Sequence, residues 1–128
     1  MTMSNMSTWK ILVIEDESDA MELVRGLLEY HGIASVGAST GEEALTLLEN
    51  IVPTLIIVDL ALPGIDGWGL LARLKSDKRL SHIPRVAITA YHTAEVASKA
   101  IEEGFDAYFS KPLDATSFVR ELQSIVSG

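Results

Sequence analysis

The stretch that most limits what this chain can become is Leu55-Ile56-Ile57-Val58-Asp59. Four large apolar residues in succession lack the alternation of a half-exposed strand, so both faces of this segment must be covered. That is the pattern of a central strand in a parallel sheet with helices on each side. The run ends on a carboxylate and passes into Leu60-Ala61-Leu62-Pro63-Gly64-Ile65-Asp66-Gly67, a loop broken by Pro and Gly. Asp59 is therefore delivered to the C-terminal edge of the sheet, where open α/β folds keep their chemistry. Alone, such an Asp is more often a turn residue.

The rest of the chain supplies the context. Lys10 to Ile14 reads as a first strand, also apolar on both faces, and runs into Glu15-Asp16-Glu17. A helix is predicted from Ser18 to His31, with Ala20, Leu23, Val24, Leu27 and Leu28 as one apolar stripe and Gly32 as its C′ residue. Ile33 to Gly37 is a weaker strand, nearer an edge. Ser39-Thr40-Gly41-Glu42-Glu43 offers a capping box in two registers, Ser39 with Glu42 or Thr40 with Glu43, ahead of a helix burying Ala44, Leu47, Leu48 and Ile51.

Asp66-Gly67 opens a third helix with Leu70, Leu71 and Leu74 inward. A fourth strand covers Arg85 to Thr89 behind Pro84. A helix from Thr93 to Gly104 buries Ala97, Ala100 and Ile101. Ala107 to Ser110 is a fifth strand, followed by Lys111-Pro112. A last helix from Ala115 packs Phe118, Leu122 and Ile125.

Five strands alternating with five helices, joined by right-handed crossovers, give an α/β fold with a doubly wound parallel sheet. The order 2-1-3-4-5 sets strands 1 and 3 side by side at the topological switch point, so Glu15, Asp16 and Asp59 converge. Residues 1–9 are expected as a flexible tail and 10–128 as one domain.

Composition removes several functions. A chain of 128 residues is large enough for a core without staples. The absence of Cys excludes disulfides, thiolate metal sites and a cysteine nucleophile. No apolar run reaches membrane-spanning length, and Met1 to Thr8 is too polar for a signal peptide, which fits a cytoplasmic location. A formal net charge of −8 argues against direct nucleic-acid binding, since phosphates would repel it.

Three carboxylates gathered at one point repel, and a cation must compensate them. Hard oxygen donors without Cys or His suit Mg²⁺. The fourth and fifth strands end on Thr89 and Lys111, adding a hydroxyl and an ammonium. Phosphoryl transfer needs such parts, and a carboxylate can accept the group as an aspartyl phosphate. Each has a plainer reading: the acids as a first turn favoured by the helix dipole, Thr89 as an ordinary strand residue, Lys111 as a solvated loop cation. What outweighs them is coincidence at four of five strand ends.

At this point the sequence resembles the receiver domain of two-component response regulators, in particular a stand-alone chemotaxis-protein-like receiver. The matching residues are Glu15-Asp16, Asp59 with its loop through Gly67, Thr89-Ala90 and Lys111-Pro112. The resemblance spans Lys10 to Val126, and these five pieces at these spacings are a specific signal together. It implies that Asp59 takes a phosphoryl group from the phosphohistidine of a sensor histidine kinase or a histidine phosphotransfer protein. Asp16, Asp59, the Ala61 carbonyl and, through water, Glu15 would hold Mg²⁺. Lys111 would pair with Asp59 and then with the phosphoryl oxygens. Thr89 would bond the arriving group beside small Ala90, and Tyr108 would turn inward with it as a switch. Lys111-Pro112 matches the family's cis peptide.

Output is expected through the fourth helix, fifth strand and fifth helix toward a downstream protein target, a face through which receivers often pair as homodimers. The protein would be no enzyme on other substrates but a phosphoacceptor that catalyses its own phosphorylation and dephosphorylation.

Two positions depart from the usual pattern. Ala61 has no side chain to touch an attacking water, and Tyr91 sets a large ring near the phosphoryl group. Other classes fit less well. A flavodoxin-like flavin binder would need phosphate donors where Glu15-Asp16-Glu17 stands. An aspartyl-nucleophile phosphatase would want an acid two residues after Asp59, where Ala61 lies. A receiver that only docks, without phosphorylation, has no use for the intact acceptor set. The stretch Ser127-Gly128 brings no output domain, so the chain reads as a stand-alone receiver or equally as the receiver segment of a longer protein.

Overall fold

A computed structural model of the protein describes residues 6–128. In chain order the elements are β1 (Lys10–Ile14), α1 (Ser18–Tyr30), β2 (Ala34–Ala38), α2 (Gly41–Leu47), β3 (Leu55–Asp59), α3 (Gly67–Ser76), β4 (Arg85–Thr89), α4 (Ala94–Glu103), β5 (Ala107–Ser110) and α5 (Phe118–Ser127), preceded by a single 3-10 turn at Met6–Thr8. The strands form one five-stranded sheet in the order β2-β1-β3-β4-β5, and every pairing is parallel. The expected α/β architecture and strand order are both found.

The continuous apolar runs behave as their composition demands. Every residue of β3 is buried. Leu12, Ile14, Ile56, Val58 and Ala87 face α2, α3 and α4, packing with Ala44, Leu48, Leu70, Leu74 and Ala100. Ile11, Val13, Leu55, Ile57, Val86 and Ile88 face α1 and α5, packing with Val24, Leu28, Phe118, Val119 and Leu122. Burying one side chain of this size contributes about 1.5–3 kcal/mol, so the central strands are the best anchored part of the molecule.

Several expectations are corrected. Leu23 is 74% exposed, and the inward face of α1 is Val24 and Leu28 with Met21 and Leu27 against them. Ile101 is 52% exposed while Ala100 is buried, because the small side chain lets α4 lie close to the sheet. In α2 Gly41 and Ala44 are buried within the helix and Leu48 beyond it, with Leu47 and Ile51 only half-buried. The α2 cap uses Thr40, whose hydroxyl accepts from Glu43 N–H, while Glu43 accepts from Ser39.

The last helix starts at Phe118 rather than Ala115. Asp114 accepts from the backbone N–H groups of Thr116 and Ser117, which holds residues 115–117 as a turn. Of the nine residues expected as a tail, residues 1–5 lie outside the described residues and Trp9 is buried in the core. Among the described residues no helix is long and apolar enough to cross a membrane.

Candidate functional site

The sheet register builds the site. Ile14 pairs with Val58, so Glu15 and Asp59 leave neighbouring strands at the same level. On the other side Asp59 pairs with Ile88 and Thr89 with Ser110, which brings Thr89 and Lys111 to the same edge. The loop after Asp59 is clamped from below. A Cβ at Gly67 would stand 2.7 Å from the Leu60 Cα and 2.9 Å from the Asp59 carbonyl oxygen, so only glycine admits this approach of α3 to the loop.

Asp59 is 5% exposed and Glu15 1%. Asp59 Oδ1 accepts from Ala61 N–H at 2.9 Å, and Oδ2 accepts from Lys111 Nζ at 3.0 Å. The same ammonium donates to Glu15 Oε1 at 2.5 Å, and Glu15 Oε2 accepts from Glu17 N–H at 3.1 Å. Asp16 is exposed, and one carboxylate oxygen each from Glu15, Asp16 and Asp59 lies within 4.8 Å of the others. A cavity of about 200 Å³ is walled by Glu15, Asp16, Asp59, Ala61, Tyr91 and Lys111, with Ala90 beside them.

Thr89 is 2% exposed and is not among the lining residues; its Oγ1 accepts from Tyr91 N–H at 3.0 Å. That leaves its hydroxyl proton for a further partner. Tyr108 stands outside the cavity, half-buried, with its hydroxyl 2.8 Å from His92 Nδ1. His92 carries no signal in the sequence: it is a lone exposed histidine in a loop. The peptide bond between Lys111 and Pro112 is cis.

Charge is unevenly compensated. Burial raises the Glu15 pKa above its ordinary value of 4.5, the bond from Lys111 opposes this, and the nearby Asp59 raises it further. Burial works against the Lys111 ammonium, but its bonds to Glu15 and Asp59 outweigh it and hold the pKa above 10.5. Among the described residues one ammonium, Lys111, faces the carboxylates of Glu15, Asp16 and Asp59, which leaves net negative charge in a pocket whose candidate metal ligands are oxygens. Such a triad can hold a metal ion, and its chemistry suits a hard divalent one.

A pH dependence follows. The folded chain binds the Glu15 proton more tightly than the unfolded chain, so stability falls as pH rises from 4.5 through the raised value and recovers on acidification. Urea midpoints measured in chelator should therefore show a smaller acid-side gain in Glu15→Gln than in the parent. Equal slopes would contradict this assignment of the charge strain.

A doubly wound sheet with an acidic pair after its first strand, a buried Asp after its third and a lysine after its fifth defines a class. The sequence matches the response regulator receiver domain family over residues 11–123, and the chain belongs to that family and to two-component signalling. It is 33% identical over 117 residues to the polar-differentiation response regulator DivK of Brucella ovis, covering 91% of this chain and 95% of that one. An uncharacterised 14.6 kDa protein of Leptolyngbya boryana is 35% identical over 121 residues, covering 94% and 92%.

Among solved structures, a response regulator described as putative, from Chloroflexus aurantiacus, superposes with a TM-score of 0.89 at 27% identity, covering 94% of this chain and 98% of that one. The pocket of Glu15, Asp16 and Asp59 is thus the acidic pocket typical of phosphoaccepting receivers.

Proposed function

We propose that the protein is a phosphoacceptor that receives a phosphoryl group on Asp59 from the phosphohistidine of a sensor histidine kinase or a histidine phosphotransfer protein. The observation that carries this reading is the setting of Asp59. It is a nearly buried carboxylate at the end of the central strand, fixed by Ala61 N–H and Lys111, with Glu15 and Asp16 within reach. In the transfer an Asp59 oxygen forms a bond to phosphorus as the phosphorus–nitrogen bond breaks, and the imidazole leaves with the electron pair.

Asp16, Asp59 and the Ala61 carbonyl are the residues that would hold Mg²⁺, with Glu15 acting through water. The ion would supply positive charge against the phosphoryl oxygens. Lys111 would follow those oxygens when they arrive, and the Thr89 hydroxyl would donate its proton to one of them. Movement of Thr89 toward the group, followed by Tyr108, would carry the change to the α4–β5–α5 face, for a downstream protein target or a second copy. We place the domain at residues 10–128 and the protein in the cytoplasm, where histidine kinases present their phosphohistidine.

The test is exposure of the protein to a small phosphodonor with and without Mg²⁺, followed by intact mass. Uptake of a single, base-labile phosphoryl group that needs Mg²⁺ supports the reading, and a chain that stays unmodified in both conditions overturns it.

The lifetime of the phosphorylated form is set at two positions. Hydrolysis needs a water in line with phosphorus, opposite the Asp59 oxygen. Ala61 gives that water no polar side-chain contact, and Tyr91, 74% exposed, lines the same cavity and would lay its ring across the approach. Tyr91→Ala should release phosphate several-fold faster in Mg²⁺ buffer. Unchanged or slower release would remove the ring from the mechanism.

A further inference from the structure

Tyr108 pairs with Ala87 across β4 and β5, so its side chain lies on the sheet face that Thr89, two residues past Ala87, also shares. The loop that leaves β4 passes through Tyr91 and His92 before Thr93 caps α4. His92 turns from that loop onto β5. Its Nδ1 is 2.8 Å from the Tyr108 hydroxyl, and the two rings lie 5.5 Å apart with planes tilted by 37°. This single exposed side chain joins the loop that begins at Thr89 to the residue expected to answer Thr89.

We infer that His92 is a positioning residue that latches the Tyr108 ring and so sets the threshold for its movement toward Thr89. The latch rests on the Thr89–Tyr108 switch proposed above for its consequence, but not for its existence. Burial raises the Tyr108 pKa above 10.0, so the hydroxyl keeps its proton and can donate. Neutral imidazole protonated on Nε2 accepts that proton at Nδ1, and imidazolium instead donates its Nδ1–H to the phenolic oxygen. Both forms of the ring hold the bond. A hydrogen bond of ordinary net worth, about 1 kcal/mol, corresponds to roughly fivefold in the ratio of latched to released ring. Any phosphoryl-driven turn of Tyr108 must break it first.

The experiment uses the full chain with ring-labelled tyrosine. The three tyrosines are Tyr30, Tyr91 and Tyr108, and the Tyr108 signal is assigned through Tyr108→Phe. In protein without phosphodonor, His92→Phe keeps an aromatic ring in place and removes the bond. The Tyr108 ring signal should then move toward the released position, with the population ratio lowered about fivefold. His92→Asn, whose amide presents donor and acceptor at the reach of Nδ1, should restore the parent signal.

A Tyr108 signal identical in His92→Phe and the parent overturns the latch, whatever the acceptor proves to be. So does a signal displaced equally by Phe and Asn, since it would assign the effect to ring packing. With Mg²⁺ and a beryllofluoride mimic, His92→Phe should reach its half-maximal response on the α4–β5–α5 face at about fivefold lower mimic. A ring freed by His92→Phe that ignores the mimic would leave the latch standing and remove the switch reading instead.

Discussion

Asp59→Asn should take up no phosphoryl group under conditions that label the parent fully. The substitution keeps the size of the side chain, and its oxygen can still accept from Ala61 N–H, the bond that fixes the start of the loop. Lys111 retains Glu15 as a partner. One negative charge leaves a cluster of three carboxylates, which relieves repulsion at Glu15 rather than creating it. The variant should therefore melt no lower than the parent in chelator. A silent but folded protein isolates the missing nucleophile as the cause, because an amide does not attack phosphorus as a carboxylate does. Equal labelling of parent and variant would move the acceptor elsewhere, to Asp16 first, the exposed carboxylate of the cluster.

Lys111→Met should give the largest change in stability. Methionine keeps much of the lysine stem and removes the one ammonium that, among the described residues, bonds Glu15 and Asp59. Breaking a buried ion pair from one side leaves an uncompensated charge, at about 3–5 kcal/mol. Here there is an escape, because a carboxylate can bind a proton instead. Each pH unit between its ordinary value of 4.5 and neutrality is worth about 1.4 kcal/mol, which caps the loss at about 3.5 kcal/mol at pH 7. The loss should shrink at pH 5 and should be recovered in part by millimolar Mg²⁺, which binds the folded pocket. Phosphoryl uptake should fall on the order of a hundredfold, as when one preorganised donor is lost from a transition state. Urea titrations at two pH values with and without Mg²⁺ measure the first effect. A variant as stable as the parent in chelator at pH 7 would show that Lys111 does not neutralise the pair.

The sequence carried the site further than it carried the helices. β1, β3 and β4 fall where their apolar runs predict, because burial on both faces leaves a contiguous signal, and β5 falls at its expected bounds although its residues are at most half-buried. β2 is displaced by one residue from Ile33–Gly37 to Ala34–Ala38: its small, weakly apolar side chains at the sheet edge mark no firm boundary. The stripe through α1 was legible only to within one position. Leu23 fits the i, i+3, i+4 pattern as well as Val24 does, and only the direction in which the helix meets the sheet turns Leu23 outward. The start of α5 depends on the Asp114 side chain bonding forward to Thr116 and Ser117, a local competition that periodicity does not report.

At the strand ends the chemistry was readable because parallel register converts sequence position into proximity. Glu15, Asp16, Asp59, Ala61 and Lys111 all reach one cavity. The order of partners was not readable. Lys111 is nearer to Glu15, at 2.5 Å, than to Asp59, at 3.0 Å, and this depends on side-chain packing after the fold is complete. The contact of His92 with Tyr108 joins residues sixteen apart through the path of one loop, which no spacing rule encodes.

The most direct measurement of the central claim is to locate the phosphoryl group by chemistry. Phosphorylated protein is reduced with borohydride, which converts an aspartyl phosphate to homoserine, and the peptides are sequenced by mass. Conversion is expected at position 59 and at no other carboxylate, with none in Asp59→Asn. Homoserine at position 16, or the one-carbon-longer hydroxynorvaline at position 15, while Asp59 stays intact would contradict the assignment.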